Sequence, residues 1–446
     1  MFALVDINNM YASCERVMNP RLVGRPLVIL SSNDGACIAR SDEAKALGVK
    51  MAQPWFEVRH LEKTKGLVAV SANFELYADL SSRVMSVLGR YAERLEVYSI
   101  DEAFLHWEGL QGDPVTLARD MRACVLREAG LPGSVGLGPT KTLAKLANHV
   151  AKSAERKPGS YPVRFAQVCH FGLLDQAELS AIFAATEVGA VWGVGSKIRE
   201  RLIAGGVNSV LDLVRCDAPS IRREFSVVLE KTQLELRGTS CMGIDEAPSA
   251  KQQILVSRSF GKSVTALEGV IEAVSEFASR AAERLREQDS VAGAVNVFFT
   301  TSPFRQHDRQ HSPNFVVPLP FPTADSRIIV AAAVAGVRRH FRPGFNYAKA
   351  GAMLMDLQDA AAADQQGELD LFAKGATPGE SAATRDRSAL MEAMDSLNRR
   401  FGRDTVQVGS AAAATNGAEV RAWSVKQERR SPRYTTRWDE IPVVRA

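Results

Sequence analysis

Two β-rich runs, LEVYS at residues 95–99 and AFLHW at 103–107, are separated by little more than the adjacent acids Asp101 and Glu102. A hairpin is the reading that fits such a break. Neighbouring residues on a regular strand face opposite ways. At a tight turn the pleat is interrupted, and both carboxylates can point toward one ion. A third acid, Asp6, sits inside the apolar run FALVDI, which reads as a buried strand. A lone charge there is costly unless it is paired or bound to a cation. Three carboxylates on neighbouring strands suit Mg²⁺, which takes oxygen ligands and shares them with substrate phosphates. Alone, an acidic pair in a turn is usually just solvated, so the carboxylates need support from the rest of the chain.

The 446 residues are enough for three domains or four small ones. Net charge is +4, and from Arg421 onward there are seven Lys/Arg against three Asp/Glu. That balance weakly favours a polyanionic partner. The six cysteines are scattered, with no two within five residues of each other, which argues against a zinc ribbon or a disulfide framework. The first residues, MFALVDINNMY, lack the basic start of a signal peptide. The longest apolar stretch, 328–337, is too short for a bilayer, which needs about 20 residues. A cytoplasmic protein with no membrane partner is expected.

Periodicity predicts a helix in ARSDEAKALGV, with Ser41 or Asp42 near its start and Gly48 as its stop. ELYADLSSRVMSVLGRYA and DPVTLARDMRACVLREAG are amphipathic helices, and GSVGLG is a strand entering a loop. TKTLAKLANHVAK is a helix expected to end before SAERKPG. Residues 165–237 read as helical throughout. From 253 to 357 the order is strand-helix-strand-strand-helix-strand, as in split α+β domains. The composition shifts at Gln358, and the stretch 358–388, rich in Ala, Gly and polar residues, is expected to be mostly disordered.

The words around the acids carry a resemblance. DINNMYASCE at 6–15, NFELYADLSSRVM at 73–85, YSIDEAF at 98–104 and TKTLAKLANHVAK at 140–152 resemble the Y-family DNA polymerases, on their UmuC-type branch. ARSDEAKALGVKM, VWGVGSKI, SRSFGKS, TSPF and SPRYTTRW extend the likeness over nearly the whole chain. The implied fold is α+β and multidomain, a right-hand polymerase with an added little finger and a largely flexible C-terminal tail. The resemblance puts the palm at 1–17 and 72–165, the fingers at 18–71 and a helical thumb at 166–240. The little finger falls at 250–357 and the tail at 358–446.

It implies a template-directed polymerase of the translesion type. Two Mg²⁺ ions would be held by Asp6, Asp101, Glu102 and the backbone carbonyl of Ile7. They would activate a primer 3′-hydroxyl and steady the leaving pyrophosphate. Tyr11 matches the steric gate that excludes a ribose 2′-hydroxyl. Lys45 and Lys152 match contacts to the incoming deoxynucleoside triphosphate. Relatives often have Arg in place of Lys45, and Thr and Tyr in place of Ala39 and Asp42.

VWGVGSKIRERL resembles a helix-hairpin-helix, in which Gly193 and Gly195 permit a tight turn and Lys197 adds charge toward a DNA phosphate. Arg258 and Lys262 in SRSFGKS match contacts to the template backbone. ELDLF, with Leu369, Leu371 and Phe372, resembles a sliding-clamp-binding peptide that usually begins with Gln. The implied partners are primer-template DNA, a UmuD′-like dimer, a RecA filament and the sliding clamp. Two other readings are weaker. GLGPTKT lacks the Gly before Lys and the spacing of a P-loop. A non-catalytic, polymerase-like DNA-binding adaptor would be expected to lose metal carboxylates, and this chain keeps all three.

Overall fold

Strand β1 (Phe2–Ile7) is buried at all six positions, so the sheet it joins must be covered on both faces. In this computed structural model, residues 1–361, 387–411 and 423–443 are described, except 108, 110, 111, 246–249, 306, 403 and 442. β1 pairs antiparallel with β6 (Glu102–His106) on one side and β7 (Gly133–Gly138) on the other. β5 (Arg94–Val97) and β8 (Val168–His170) complete the order β5-β6-β1-β7-β8. The hairpin expected around the acidic pair is β5–β6.

The period of two sorts β1 into two sets. Ala3, Val5 and Ile7 join the core beneath α1 (Met10–Met18), α5 (Phe74–Leu88) and α6 (Pro114–Ala129). Phe2 and Leu4 pack with Phe104 and with Ala144 of α7 (Lys141–Arg156). On β7 the positions opposite Phe2 and Leu4 are Gly138 and Gly136. A Cβ on Gly136 would run into the backbone of Ala144 and Asn148, and one on Gly138 would lie 2.8 Å from the Ala144 nitrogen. The glycines therefore let α7 lie against the strand backbone.

A smaller sheet, ordered β3-β2-β4, comes from β2 (Leu27–Leu30), β3 (Cys37–Arg40) and β4 (Val68–Ser71). Its core includes Val28, Leu30, Trp55 and Val58, with α2 (Asp42–Ala46), α3 (Trp55–Val58) and α4 (Leu61–Lys65) alongside. Ser41 caps α2 by accepting from the Ala44 amide, and Gly48 follows it at φ 83°, as the sequence predicts. The outer part of α7 packs with α8 (Gln176–Ala185), α9 (Ser196–Ala204), α10 (Val210–Arg215), α11 (Ala218–Glu224) and α12 (Val227–Leu236). The stretch read as wholly helical also contains β8, whose three residues are too few to show a period.

The contacts divide the chain into two compact units, 1–248 with 428–446, and 249–427. The second is built as expected, from β9 (Ile254–Val264), α13 (Leu267–Arg286), β10 (Ser290–Thr301), β11 (Asn314–Thr323), α14 (Ser326–His340) and β12 (Tyr347–Asp359). Its four strands are antiparallel in the order β11-β10-β12-β9.

One further expectation needs correction. α7 does not stop at SAERKPG but runs to Arg156, because Ala, Glu and Arg are good helix formers and Pro158 is the real barrier. Within the tail expected to be largely flexible, two parts belong to the fold. Helix Ser388–Phe401 is fixed to α13 through Arg286, whose Nε and Nη2 donate to Asp395 at 2.7 and 2.8 Å. Residues 428–434 are bonded into the first unit. The clamp-binding reading of Leu369, Leu371 and Phe372 falls outside the described residues.

Candidate active site

Asp6 continues the Phe2–Leu4 face of β1, toward α7. Its partner across the β1–β6 ladder is Glu102, and across β1–β7 it is Ser134. Asp6 is only 6% exposed. Burial pushes its carboxyl up, to about 7, and a hydrogen bond with Glu102 adds to this against the opposing charge of Lys152. Burial acts the same way on Glu102, but its bonds with Asp6 and Lys145 outweigh it and hold that carboxyl below its ordinary range. The two facing carboxyls are thus shifted in opposite directions by their surroundings.

Asp101 lies in the turn before β6. Its backbone oxygen accepts from the Ile7 amide at 2.8 Å, and its carboxylate accepts from Ser99 Oγ at 2.6 Å. The same Ser99 hydroxyl accepts from the amides of Asp101 and Glu102. Thus Asp6 and Glu102 are brought together, while the Asp101 carboxylate is turned to its own loop. Among the described residues no three His, Cys, Asp or Glu side chains are arranged to hold a metal ion as they stand.

α7 supplies the compensating charge. Lys141, Lys145, Asn148, Lys152 and Arg156 recur at three- to four-residue steps and so share one stripe. Lys145 Nζ donates to Glu102 at 2.7 Å, and Lys152 pairs with Asp6. Asn148, held by Ser134 Oγ at 2.7 Å, donates to Asp6 at 3.3 Å. Lys141 pairs with Glu96. Of this stripe, the sequence pointed to Lys152 for the triphosphate and to Lys141 only in the weak P-loop reading. The i, i+4 spacing in TKTLAKLANHVAKSAER was the signal for the rest.

Lys45 Nζ donates to Asn9 Oδ1 at 2.6 Å and to Asp42 Oδ1 at 2.9 Å. Burial lowers its ammonium, Asp42 resists this, and the charges of Arg156 and Arg40 add to the lowering. Arg156 lies 3.8 Å from Asp42. Lys45, Arg40 and Arg156 thus form a cationic group whose last member depends on the extra turn of α7.

Tyr11, on α1, stacks on Tyr77 with ring centroids 4.6 Å apart and 15° between planes. Phe74 meets it edge-on at 5.9 Å. Gly193 takes φ 85°, Gly195 is the N-cap residue of α9, and Lys197 is exposed. Trp192, unremarked in the sequence, packs against Tyr98 and Phe104 and donates to the Tyr98 hydroxyl at 3.2 Å. In the second unit Lys262 is exposed, but Arg258 is half-buried over the rings of Phe277 and Trp423.

The chain matches the model of the impB/mucB/samB family over residues 5–149 and that of its C-terminal domain over 251–370. Residues 388–444 match a domain of unknown function, DUF4113. Protein UmuC of Salmonella typhimurium is 41% identical over 446 residues, 99% of each chain. The chain belongs to the impB/mucB/samB family of Y-family DNA polymerases. DNA polymerase IV of Corynebacterium diphtheriae is 30% identical over 74% of this chain and 69% of its own length. The fold agrees. A Y-family polymerase chimera, Dbh-Dpo4(243-245)-Dbh, superposes with a TM-score of 0.61 at 19% identity, covering 80% of this chain and 99% of its own. As a family member the chain is a nucleotidyltransferase, and the sheet carrying Asp6 and Glu102 belongs to its polymerase fold. Among the described residues no helix is long and apolar enough to cross a membrane.

Proposed function

We propose that this polymerase adds deoxynucleotides to a primer 3′-hydroxyl under template direction, including opposite damaged bases, at a site formed by Asp6, Asp101 and Glu102. The observation that carries the reading is the Asp6–Glu102 pair, set face to face by strand register and flanked by Lys145 and Lys152. A buried pair of facing carboxyls is a place where a bound cation can offset charge that would otherwise be costly to bury. All its donors are hard oxygens, which fits Mg²⁺. Two Mg²⁺ ions bound there would lower the pKa of the 3′-hydroxyl and balance charge on the pyrophosphate.

The chain's own residues do the rest. Asp6 and Glu102 would hold the metal charge, with Asp101, whose carboxylate now accepts from Ser99, and the Ile7 carbonyl as the remaining ligands. Lys45, Lys152 and Arg156 meet the triphosphate as point or forked charges. The Tyr11 ring, backed by Tyr77, occupies the space under the sugar and selects deoxyribose. Gly193, Gly195, Lys197 and Lys262 serve the DNA backbone, which positions the duplex without reading its sequence. Arg258, half-buried over Phe277 and Trp423, joins Lys262 toward the template backbone. Family likeness supports a UmuD′-like dimer, a RecA filament and, through the ELDLF peptide, a sliding clamp as partners in the damage response.

Primer extension with the purified chain tests the reading, with each partner added in turn and with undamaged and abasic templates. Asp101→Ala and Glu102→Ala should each abolish Mg²⁺-dependent extension. Unchanged extension by either variant removes the site assignment.

A further inference from the structure

The carboxylate of Glu15 is not part of the metal-binding set, yet Glu15 is 1% exposed. It lies four residues after Tyr11 on α1, on the same helix face. Its Oε1 accepts from the Tyr77 hydroxyl at 2.7 Å and from Ser431 Oγ at 3.0 Å. Tyr77 therefore does two things at once. Its ring lies under Tyr11, and its hydroxyl is tied to the carboxylate one turn along the same helix.

Ser431 belongs to a segment more than 350 residues away in sequence. The Ser71 amide donates to the Arg429 oxygen at 3.1 Å, and the Arg429 amide donates to Ser71 Oγ at 3.0 Å, so the segment lies alongside the end of β4. Asn73 stands at the N-cap of α5 but makes no side-chain capping bond. Its amide instead donates to Ser431 Oγ at 3.0 Å and to the Pro432 oxygen at 3.1 Å, and its Oδ1 accepts from Arg430 at 3.2 Å. The relay runs from the Asn73 amide through the Ser431 hydroxyl to Glu15, which the Tyr77 hydroxyl meets from the other side. Arg430 also pairs with Glu75, Arg429 pairs with Glu62, and Tyr434 packs on the core beneath.

We propose that residues 429–434 form a strap that sets the height of the Tyr11 ring, making Ser431, Glu15 and Tyr77 positioning residues for sugar selection. The proposal rests on Tyr11 being the gate. A buried carboxylate needs its donors. With the strap seated, α1 and α5 are locked where Tyr11 and Tyr77 stack. With Ser431 unable to donate, Glu15 draws water or turns, and the tie between the two helices loosens under the ring.

The test uses the full chain and measures kcat/KM for single deoxynucleotides and ribonucleotides. Ser431→Ala and Tyr77→Phe should each lower the deoxy-to-ribo ratio about 5- to 10-fold, mainly through better ribonucleotide use, because small misplacements are costly to selection. Ser431→Thr, which keeps the hydroxyl, should hold the parent ratio. Tyr11→Ala is the control for the gate itself. If it collapses the ratio while Ser431→Ala and Tyr77→Phe stay within about twofold of the parent, the strap proposal is overturned. If Tyr11→Ala leaves the ratio intact, the gate reading fails and takes the strap proposal with it. Should Ser431→Ala not yield folded protein, Tyr77→Phe, which retains the ring, decides alone.

Discussion

Lys145 Nζ lies 2.7 Å from Glu102 Oε2 and at the same time 4.5 Å from the centre of the Tyr98 ring. The ammonium is thus held between a site carboxylate and an aromatic wall that also includes Trp192, at 5.3 Å. Charge-assisted hydrogen bonds are worth about 1.5–3 kcal/mol, so Lys145→Ala should slow single-turnover incorporation about 10- to 100-fold. A rate equal to the parent's would show that Lys145 only fills space.

Arg156 tests the proposed triphosphate end of the site. It sits beside Asp42 and Lys45 on the last turn of α7. Arg156→Ala should raise KM for the incoming nucleotide roughly fivefold to tenfold while changing kcat less, the signature of lost ground-state binding. A pure kcat effect would place Arg156 elsewhere in the mechanism.

Gly136 tests the seat of α7. A methyl group there would collide with the Ala144 oxygen and the Asn148 nitrogen, both helix backbone that cannot step aside. Gly136→Ala should cost roughly 3 kcal/mol or more of stability. Denaturant melts would expose the error if the midpoint stayed put.

Glu15 gives a pH dependence with a definite sign. Burial raises its carboxyl despite the bonds from Tyr77 and Ser431. Folding then favours the protonated form, so this contribution is full below the ordinary glutamate range. It is lost as pH climbs through the raised value. Glu15→Gln cannot ionise. Its melting temperature should therefore improve relative to the parent from about pH 4.5 to 8. A constant difference across that series would mean that Glu15 titrates as an ordinary glutamate.

Much of this was readable in the chain, for local reasons. FALVDI and AFLH are apolar enough to announce strands. α5 and α6 show helical spacing, with Asp113 capping α6 through the Val115 and Thr116 amides. Other features were hidden by their chemistry. Ser153, Ala154 and Glu155 look like the start of a loop, yet nothing in them breaks a helix before Pro158, so Arg156 was not expected at the site. Ser99 was overlooked because a turn serine is common, although its hydroxyl decides where Asp101 points. SPRYTTRW has no periodicity at all, since its binding is polar and made to residues hundreds of positions earlier. No local pattern could have tied Ser431 to Glu15.

That tie also imposes an order in time. A ribosome makes the N-terminal region first, at about 5–20 residues per second, so β1, α1 and α5 exist well before the strap does. Until residues 429–434 emerge, Glu15 has Tyr77 but not Ser431, and Asn73 has neither of its strap acceptors. The first unit is thus closed by residues translated after the whole second unit. A nascent chain carries its acids early, but the stack of Tyr11 on Tyr77 gains its last support only after the second unit has been made.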